Sequence, residues 1–425
     1  MSDGGLPAVA EMFDAQPSLT DDVPRDFRVL DEGRAYLLTL DHLGIEFAVD
    51  RLRRNRWEEL VGELTVRCGL AGARTYNGVL SVGDFNFSSV RMREDRAKYL
   101  AKRSEASDLD WLSLLEEFVQ QVLTAEREGQ PAVLLRDLPR PKADDTRYVD
   151  GLPLLMRHPV IWFGDGGAAK SYLALYIAGR LEQRHGVRVG LFDWELAGED
   201  HRERLERLFG AKLPGVRYAR CNRPFVHELD RLRRIVRDEG LDYLIFDSIA
   251  FACDGAPEAA EVAGRYFQSL RQLGIVGSLH IAHISKADGA DQKPFGSAFW
   301  HNGARATWNV KLAETVTGGN QVNIGLYNRK ANLGGLRPAV GFEITFETER
   351  TTFKAVNVAD VADLAGQLSV RQRIAHALRH GAMHPDEITA EVDAKPDTVR
   401  RELRRNKKQF VVLDGGRFGL AEIRR

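Results

Sequence analysis

The chain is 425 residues long, 44% hydrophobic and 28% charged, the composition of an ordinary globular protein, which argues against disorder as the default and leaves room for two or three hydrophobic cores. Its 60 Lys and Arg nearly balance 61 Asp and Glu, so the formal charge of -1 provides no overall basic field, and any surface for a polyanion must be local. Cys68, Cys221 and Cys253 are widely separated with no metal-ligand spacing, the first residues lack a basic start with an apolar run, and no stretch is apolar enough to span a membrane, so the chain reads as a soluble cytoplasmic protein with no zinc site, disulfide framework or membrane partner.

Residues 1–26, rich in Asp, Pro, Gly and Ala, read as a flexible tail. From Tyr36 to Ser89 short alternating runs such as Ile45-Glu46-Phe47-Ala48-Val49 predict a small antiparallel sheet. Apolar residues spaced by three and four then predict helices over Arg91–Arg103 and Leu109–Glu128, the second capped by Asp108 or Asp110. The run Leu138-Pro139-Arg140-Pro141-Lys142-Ala143-Asp144-Asp145 is a linker that closes an α+β domain over 27–145. That domain carries no motif that assigns it a reaction, so its role is left open, with docking of a partner protein as one option.

Over 146–358 apolar runs alternate with helical segments, the pattern of an α/β fold whose mainly parallel sheet is joined by crossover helices. The strands are expected at 159–163, 187–192, 241–246 and 277–282, with a closing pair near 322–327 and 341–346. Ligands in such sheets bind beyond the carboxyl ends of the strands, so the polar residues directly after these runs are the first candidates. Residues 359–425 show three short helical patterns and then two apolar runs separated by Asp414-Gly415-Gly416, the element order of a winged helix-turn-helix.

Gly164-Asp165-Gly166-Gly167-Ala168-Ala169-Lys170-Ser171 follows a buried strand and opens a helix beginning with Tyr172, the context of a phosphate-binding loop. Backbone N–H groups and the positive helix end would surround the phosphates of ATP, Lys170 would neutralise charge and Ser171 would hold Mg2+. Ala169 stands where the common pattern has glycine, so its backbone must either avoid positive φ or accept strain. Phe192-Asp193-Trp194-Glu195 ends the next strand, with Glu195 the candidate base toward the attacking water and Asp193 next in line. Asp247 ends the strand Leu241–Phe246, as the carboxylate that holds magnesium does in such ATPases. His283 ends the following strand, placed to sense a γ-phosphate, with Lys286 close behind.

The order Lys170-Ser171, Glu195, Asp247, His283, Lys286, Gly296-Ser297 and Arg305 resembles the RecA-like P-loop ATPases of the RepA type, hexameric replicative helicases of plasmids and their relatives in phages and mobile elements. The resemblance covers about half the chain, from Leu152 to Glu347. It implies a RecA-like core, a homo-oligomer of hexameric kind, and a role for Arg305 as a finger reaching a neighbour's nucleotide; the alternative is that Arg305 pairs within its own subunit. Arg329 and Lys330 form a second basic pair with the same reach. Ala169 departs from the family pattern.

In the C-terminal segment Val399 and Leu403 should face inward, leaving Arg400, Arg401, Arg404 and Arg405, with Arg417 in the wing, for DNA. A solvated protein-docking helix is the other reading. The leading function is an oligomeric ATP-hydrolysing motor or remodeller acting on DNA. Against it stand a nucleotide-switched regulator, initiator or defence ATPase without helicase activity, and an ATPase whose terminal domains dock proteins alone.

Overall fold

The computed structural model describes residues 25–30, 35–106, 108–129, 132–140, 145–274, 276–283, 298–313, 319–332 and 334–421. Nearly all of the expected tail, the middle of the Pro-rich linker, Lys286 and the Gly296-Ser297 pair lie outside the described residues. The chain divides into two compact units, 1–139 and 140–425.

The first unit is a five-stranded antiparallel meander of β1 (Asp26–Leu30), β2 (Ala35–Leu40), β3 (Ile45–Arg54), β4 (Leu60–Cys68) and β5 (Val79–Asn86), followed by α1 (Val90–Ser104) and α2 (Trp111–Glu128). Tyr36, Leu38, Ile45, Phe47, Val49, Leu64 and Val66 alternate along their strands and are buried in one cluster. Onto that face α2 lays Trp111, Leu114, Leu115, Phe118, Val119 and Val122, a helical stripe spaced by three and four. Of the two expected caps Asp110 is the one used, its carboxylate accepting from the Ser113 N–H at 3.0 Å.

The second unit opens on a hairpin of β6 (Thr146–Val149) and β7 (Leu152–Leu155), too short for its alternation to stand out in the sequence. Its turn, Asp150-Gly151, has both φ values positive (48° and 85°), the conformation that Asp-Gly favours between paired strands. The core then runs β8 (Pro159–Gly164), α3 (Lys170–His185), β9 (Val189–Asp193), α4 (Gly198–Phe209), β10 (Arg217–Arg220), α5 (Phe225–Asp238), β11 (Tyr243–Asp247), α6 (Ile249–Ala252), α7 (Ala260–Arg271) and β12 (Gly277–His283). After α8 (Ala298–Gly303) come β13 (Ala306–Leu312), β14 (Gln321–Ala331), β15 (Val340–Phe346) and β16 (Thr351–Val356).

These strands form one nine-stranded sheet in the order β10-β9-β11-β12-β8-β13-β14-β15-β16. Its first six strands are parallel and its last three antiparallel, the layout of a RecA-like core with an antiparallel extension. Alternate residues of β8 serve opposite layers: Val160 and Trp162 pack with α3, whereas Ile161 and Phe163 pack with α5 and α7. β10, β13 and β16 are not evident from the sequence pattern. β10 has only four residues, and Ala306-Thr307-Trp308-Asn309 carries two buried polar side chains that blur its strand pattern.

The C-terminal part holds α9 (Ala362–Ala365), α10 (Val370–Ala377), α11 (Pro385–Glu391), α12 (Pro396–Arg405) and a hairpin of β17 (Phe410–Val412) and β18 (Phe418–Leu420). Met383 adds a bridge to Phe418, beside a small core of Ile374, Ile388, Val399, Leu403 and Phe410. Gly415 and Gly416 both take φ of 75° in the turn.

Two glycines test how tightly this architecture is packed. A Cβ at Gly277 would run into the Leu155 carbonyl oxygen, whereas one at Gly264 on α7 meets nothing within 4 Å. Gly277→Ala should cost about 1–3 kcal/mol in urea denaturation. Gly264→Ala should stabilise by about 0.5–1 kcal/mol through helix propensity; equal effects of the two changes would contradict the packing described.

Candidate functional site

The site is built where the parallel strands stop. Register sets Gly164 of β8 beside His283 of β12, and Asp247 of β11 beside Asp193 of β9, so four chain segments leave the sheet at one level. Gly164 is required there because a Cβ would run into the Val310 carbonyl oxygen on β13. From it the loop climbs to α3, with Gly167 at φ 80° and Ala169 at φ 54°, ψ 22°. Ala169 therefore takes the strained option left open by the sequence, a left-handed conformation that costs a side-chain-bearing residue about 1 kcal/mol or more.

Lys170 is 5% exposed, and its ammonium donates to the carbonyl oxygens of Gly164 at 3.0 Å and Asp165 at 2.7 Å, which draws the two ends of the loop together. Burial pushes its pKa down to about 8, opposed by the carboxylates of Asp247, Asp165 and Glu195. Asp247 is 3% exposed, and burial raises its pKa to about 6 although the Ser171 hydroxyl hydrogen-bonds to it. Its Oδ1 is buried with no hydrogen-bond partner among the described residues. A desolvated carboxylate oxygen left unpaired beside a serine hydroxyl fits a hard cation, which restores the lost solvation.

Glu195 faces this pair across one cavity of about 360 Å³, which Gly167, Lys170, Ser171, Asp247 and His283 also line. Its Oε1 lies 3.9 Å from His283 Nε2 and accepts from the Ser248 hydroxyl. His283 first, and Ser248 after it, hold the Glu195 carboxyl below the usual range against the effect of burial. It is thus an ionised acceptor, as a base or a water-orienting group must be. Asp193, the next candidate in sequence, is fully buried and differently employed. Its Oδ1 accepts from the N–H groups of Glu195 at 2.6 Å and Leu196 at 3.2 Å, and its Oδ2 bonds His201. Asp193 shapes the loop that presents Glu195.

Arg204 and Tyr172 also line the cavity. The Arg204 guanidinium lies over the Tyr172 ring at 5.5 Å, placing a second cation of the same chain beside the Gly164–Ser171 loop. Sequence reasoning missed it because α4 is dense in arginine and glutamate and nothing in its spacing distinguishes one arginine. His201 was missed for a related reason: its burial against Asp193 is a tertiary fact.

The other expected cations are elsewhere. Arg305 immediately precedes β13, which runs parallel to β8, so it sits at the opposite sheet edge from the loop that follows β8. β13 spans seven residues, which separates the two edges by roughly 20 Å. Lys330 shares that edge, where its ammonium donates to the carbonyls of His301 (2.7 Å), Asn302 (2.9 Å) and Ala304 (2.8 Å). All three of its protons are used within the chain, so the expected reach to a neighbour's phosphates is not available to Lys330 in this arrangement. Arg329 lies with its guanidinium 5.4 Å from the Tyr327 ring. On α12, Val399 and Leu403 are buried and Arg400, Arg401, Arg404 and Arg405 are exposed, with Arg400 3.5 Å from Asp386; Arg417 is exposed in the hairpin turn. No cluster of three or more His, Cys, Asp or Glu among the described residues forms a metal site of its own.

Replacing Ala169 by Gly removes the left-handed penalty, so Ala169→Gly should raise stability by about 1 kcal/mol in urea denaturation. A loss of stability would show that the loop does not hold the conformation described.

Residues 124–289, less than half of the chain, match the family model described as an AAA domain. No curated protein matches the chain. Among solved structures, a KaiC-like protein of the hyperthermophilic archaeon Pyrococcus horikoshii is 16% identical, with 47% of this chain and 91% of that one covered and a TM-score of 0.37. A second solved structure, an isolated ATPase domain, is 13% identical over 48% of this chain and 85% of its own, also with a TM-score of 0.37.

Proposed function

We propose that the chain is an ATPase that couples nucleotide turnover to movement or remodelling of nucleic acid. One observation carries the ATPase reading: Lys170, Ser171, Asp247, Glu195 and His283, from four separate strand ends, line a single cavity. The match of residues 124–289 to an AAA domain supports it independently. ATP would lie with its phosphates over the Gly164–Ser171 loop, where Lys170 exchanges its carbonyl partners for phosphate oxygens. Ser171 and Asp247 would hold the magnesium ion, whose chemistry is to neutralise phosphate charge. Glu195, fixed by Ser248 and by the Asp193 turn, orients the attacking water and takes its proton, while His283 reads the γ-phosphate through its contact with Glu195.

Arg305, at the far sheet edge, has no route to the phosphates of its own loop, which supports a finger that acts on a neighbouring subunit in a ring. We read the C-terminal helices and hairpin as a winged helix whose exposed α12 arginines meet DNA. A regulator or initiator that uses the same nucleotide site as a switch is the alternative, and ATP turnover measured with and without single-stranded and duplex DNA separates the two: a motor is stimulated, a switch is not.

Lys170→Ala should lose tight ATP binding in equilibrium titration while remaining folded, and wild-type affinity would remove the loop assignment. Glu195→Gln should keep ATP bound and slow turnover by roughly a hundredfold or more. Mixing Arg305→Ala with Glu195→Gln subunits should restore part of the activity, because some interfaces then pair an intact site with an intact arginine. Absence of complementation in mixtures shown by sizing to co-assemble would place Arg305 outside catalysis.

A further inference from the structure

A second concave site lies between the sheet and the C-terminal helices. The strand end at Asn328-Arg329, the segment Leu336–Ala339, the connector after β16 and one side of α10 enclose a cleft of about 660 Å³. Four arginines line it, Arg329, Arg337, Arg371 and Arg379, and among the described residues no carboxylate does. Asp360 stands off the lining and pairs with His376 Nε2 at 3.4 Å. The rest of the polar wall holds His376 and the amides Asn357, Gln372 and Gln409.

Arg337, Arg371 and Arg379 bring three exposed guanidinium groups to one cleft in which no described residue supplies a carboxylate, so the local potential is positive and favours a ligand that brings its own negative charge. Arginine forks match phosphate oxygens two at a time, and side-chain amides suit sugar and base edges. The cleft also continues into the basic C-terminal surface. Arg371 Nε donates to Gln409 Oε1 at 2.7 Å, and Gln409 directly follows the exposed Lys407 and Lys408, which follow the arginines of α12. Positive charge that continues from a cleft into the adjoining chain segment suits an extended polyanion better than a compact one.

We infer that this cleft binds a stretch of nucleic-acid phosphodiester backbone, held between the ATPase sheet and the C-terminal helices. The inference rests on the proposed action on nucleic acid and assigns it a surface distinct from the exposed face of α12. Because one wall belongs to the sheet extension that begins with β14, a strand in the cleft would touch both the ATPase sheet and the helices that follow it.

The test uses the full chain with Arg337, Arg371 and Arg379 all changed to Ala, none of them placed in the nucleotide site. Fluorescence anisotropy with labelled oligo-dT and a labelled duplex is measured across a salt series, beside pyrophosphate titration and basal ATP turnover. The expected result is unchanged basal turnover, at least about tenfold weaker oligonucleotide binding, and a salt slope shallower by about two for single strands, since each lost phosphate contact releases roughly 0.7 fewer counterions. Retained turnover serves as the folding control, and the single variants Arg371→Lys and Arg379→Lys should recover most of the affinity by keeping the charge. If the wild type binds oligonucleotides and the triple variant binds them equally with the same slope, the cleft assignment is overturned while action on nucleic acid stands. Loss of pyrophosphate binding alone would overturn nucleic acid as the occupant in favour of a small phosphate ligand. A wild type that binds no oligonucleotide overturns the broader functional reading as well.

Discussion

Parallel strands that end in register are the constraint on which the site depends. Because β9 and β11 pair with Asp193 opposite Asp247, and β8 and β12 with Gly164 opposite His283, residues far apart in sequence leave the sheet at the same height. Each strand is buried on both faces, so its apolar residues fix its register by packing, and the first polar residue after each run emerges on the one rim where loops can hold it. Local hydrogen bonds then tie the rim together: the Trp194 N–H donates to the Asp247 carbonyl at 2.8 Å and the Cys221 N–H to the Asp193 carbonyl at 2.8 Å.

The rim is locally unfavourable in ways that a nucleotide would relieve. Asp247 keeps a buried carboxylate oxygen without a hydrogen-bond partner among the described residues, Lys170 is desolvated and bonded to loop carbonyls, and Ala169 holds a left-handed backbone. Burial lowers the pKa of the lysine and raises that of the aspartate, which means that folding works against both charges. Phosphates with a cation would supply the missing partners to these side chains at once. Strain and desolvation concentrated at strand ends are consistent with a binding site whose stability is completed by its ligand.

The two edges of the sheet carry different sets of charged residues. The loop edge gathers Lys170, Glu195, Asp247 and His283, whereas the opposite edge gathers Arg305 and Lys330, the latter closing the end of α8 through three carbonyls. From β14 onward the sheet is antiparallel, and this extension meets the C-terminal helices at a cleft lined by arginines. Charge that nearly cancels over the whole chain is thus unevenly placed by the fold, mixed in sign at the loop edge and basic in the cleft.

Much of this was legible in the residues. Apolar runs that end in Gly, Asp or His marked β8, β9, β11 and β12, because a doubly buried strand has no polar positions until it stops. Spacing by three and four foretold α2, and it set Val399 and Leu403 inward with the arginines of α12 outward, since helical period alone decides which side a residue takes. Other features were decided only by tertiary structure. The sequence ranks Glu195 first and Asp193 next as the base, but only the structure shows why they differ: Asp193 is consumed by backbone N–H groups and His201 while Glu195 reaches the cavity. Ala306–Leu312 becomes a strand because β8 and β14 pair with it on either side, which no pattern of its own announces. Arg204 and the arginines of the cleft acquire meaning from which surfaces face each other. Local sequence encodes period, caps and turns, whereas the company a side chain keeps across the sheet depends on contacts between segments distant in the chain.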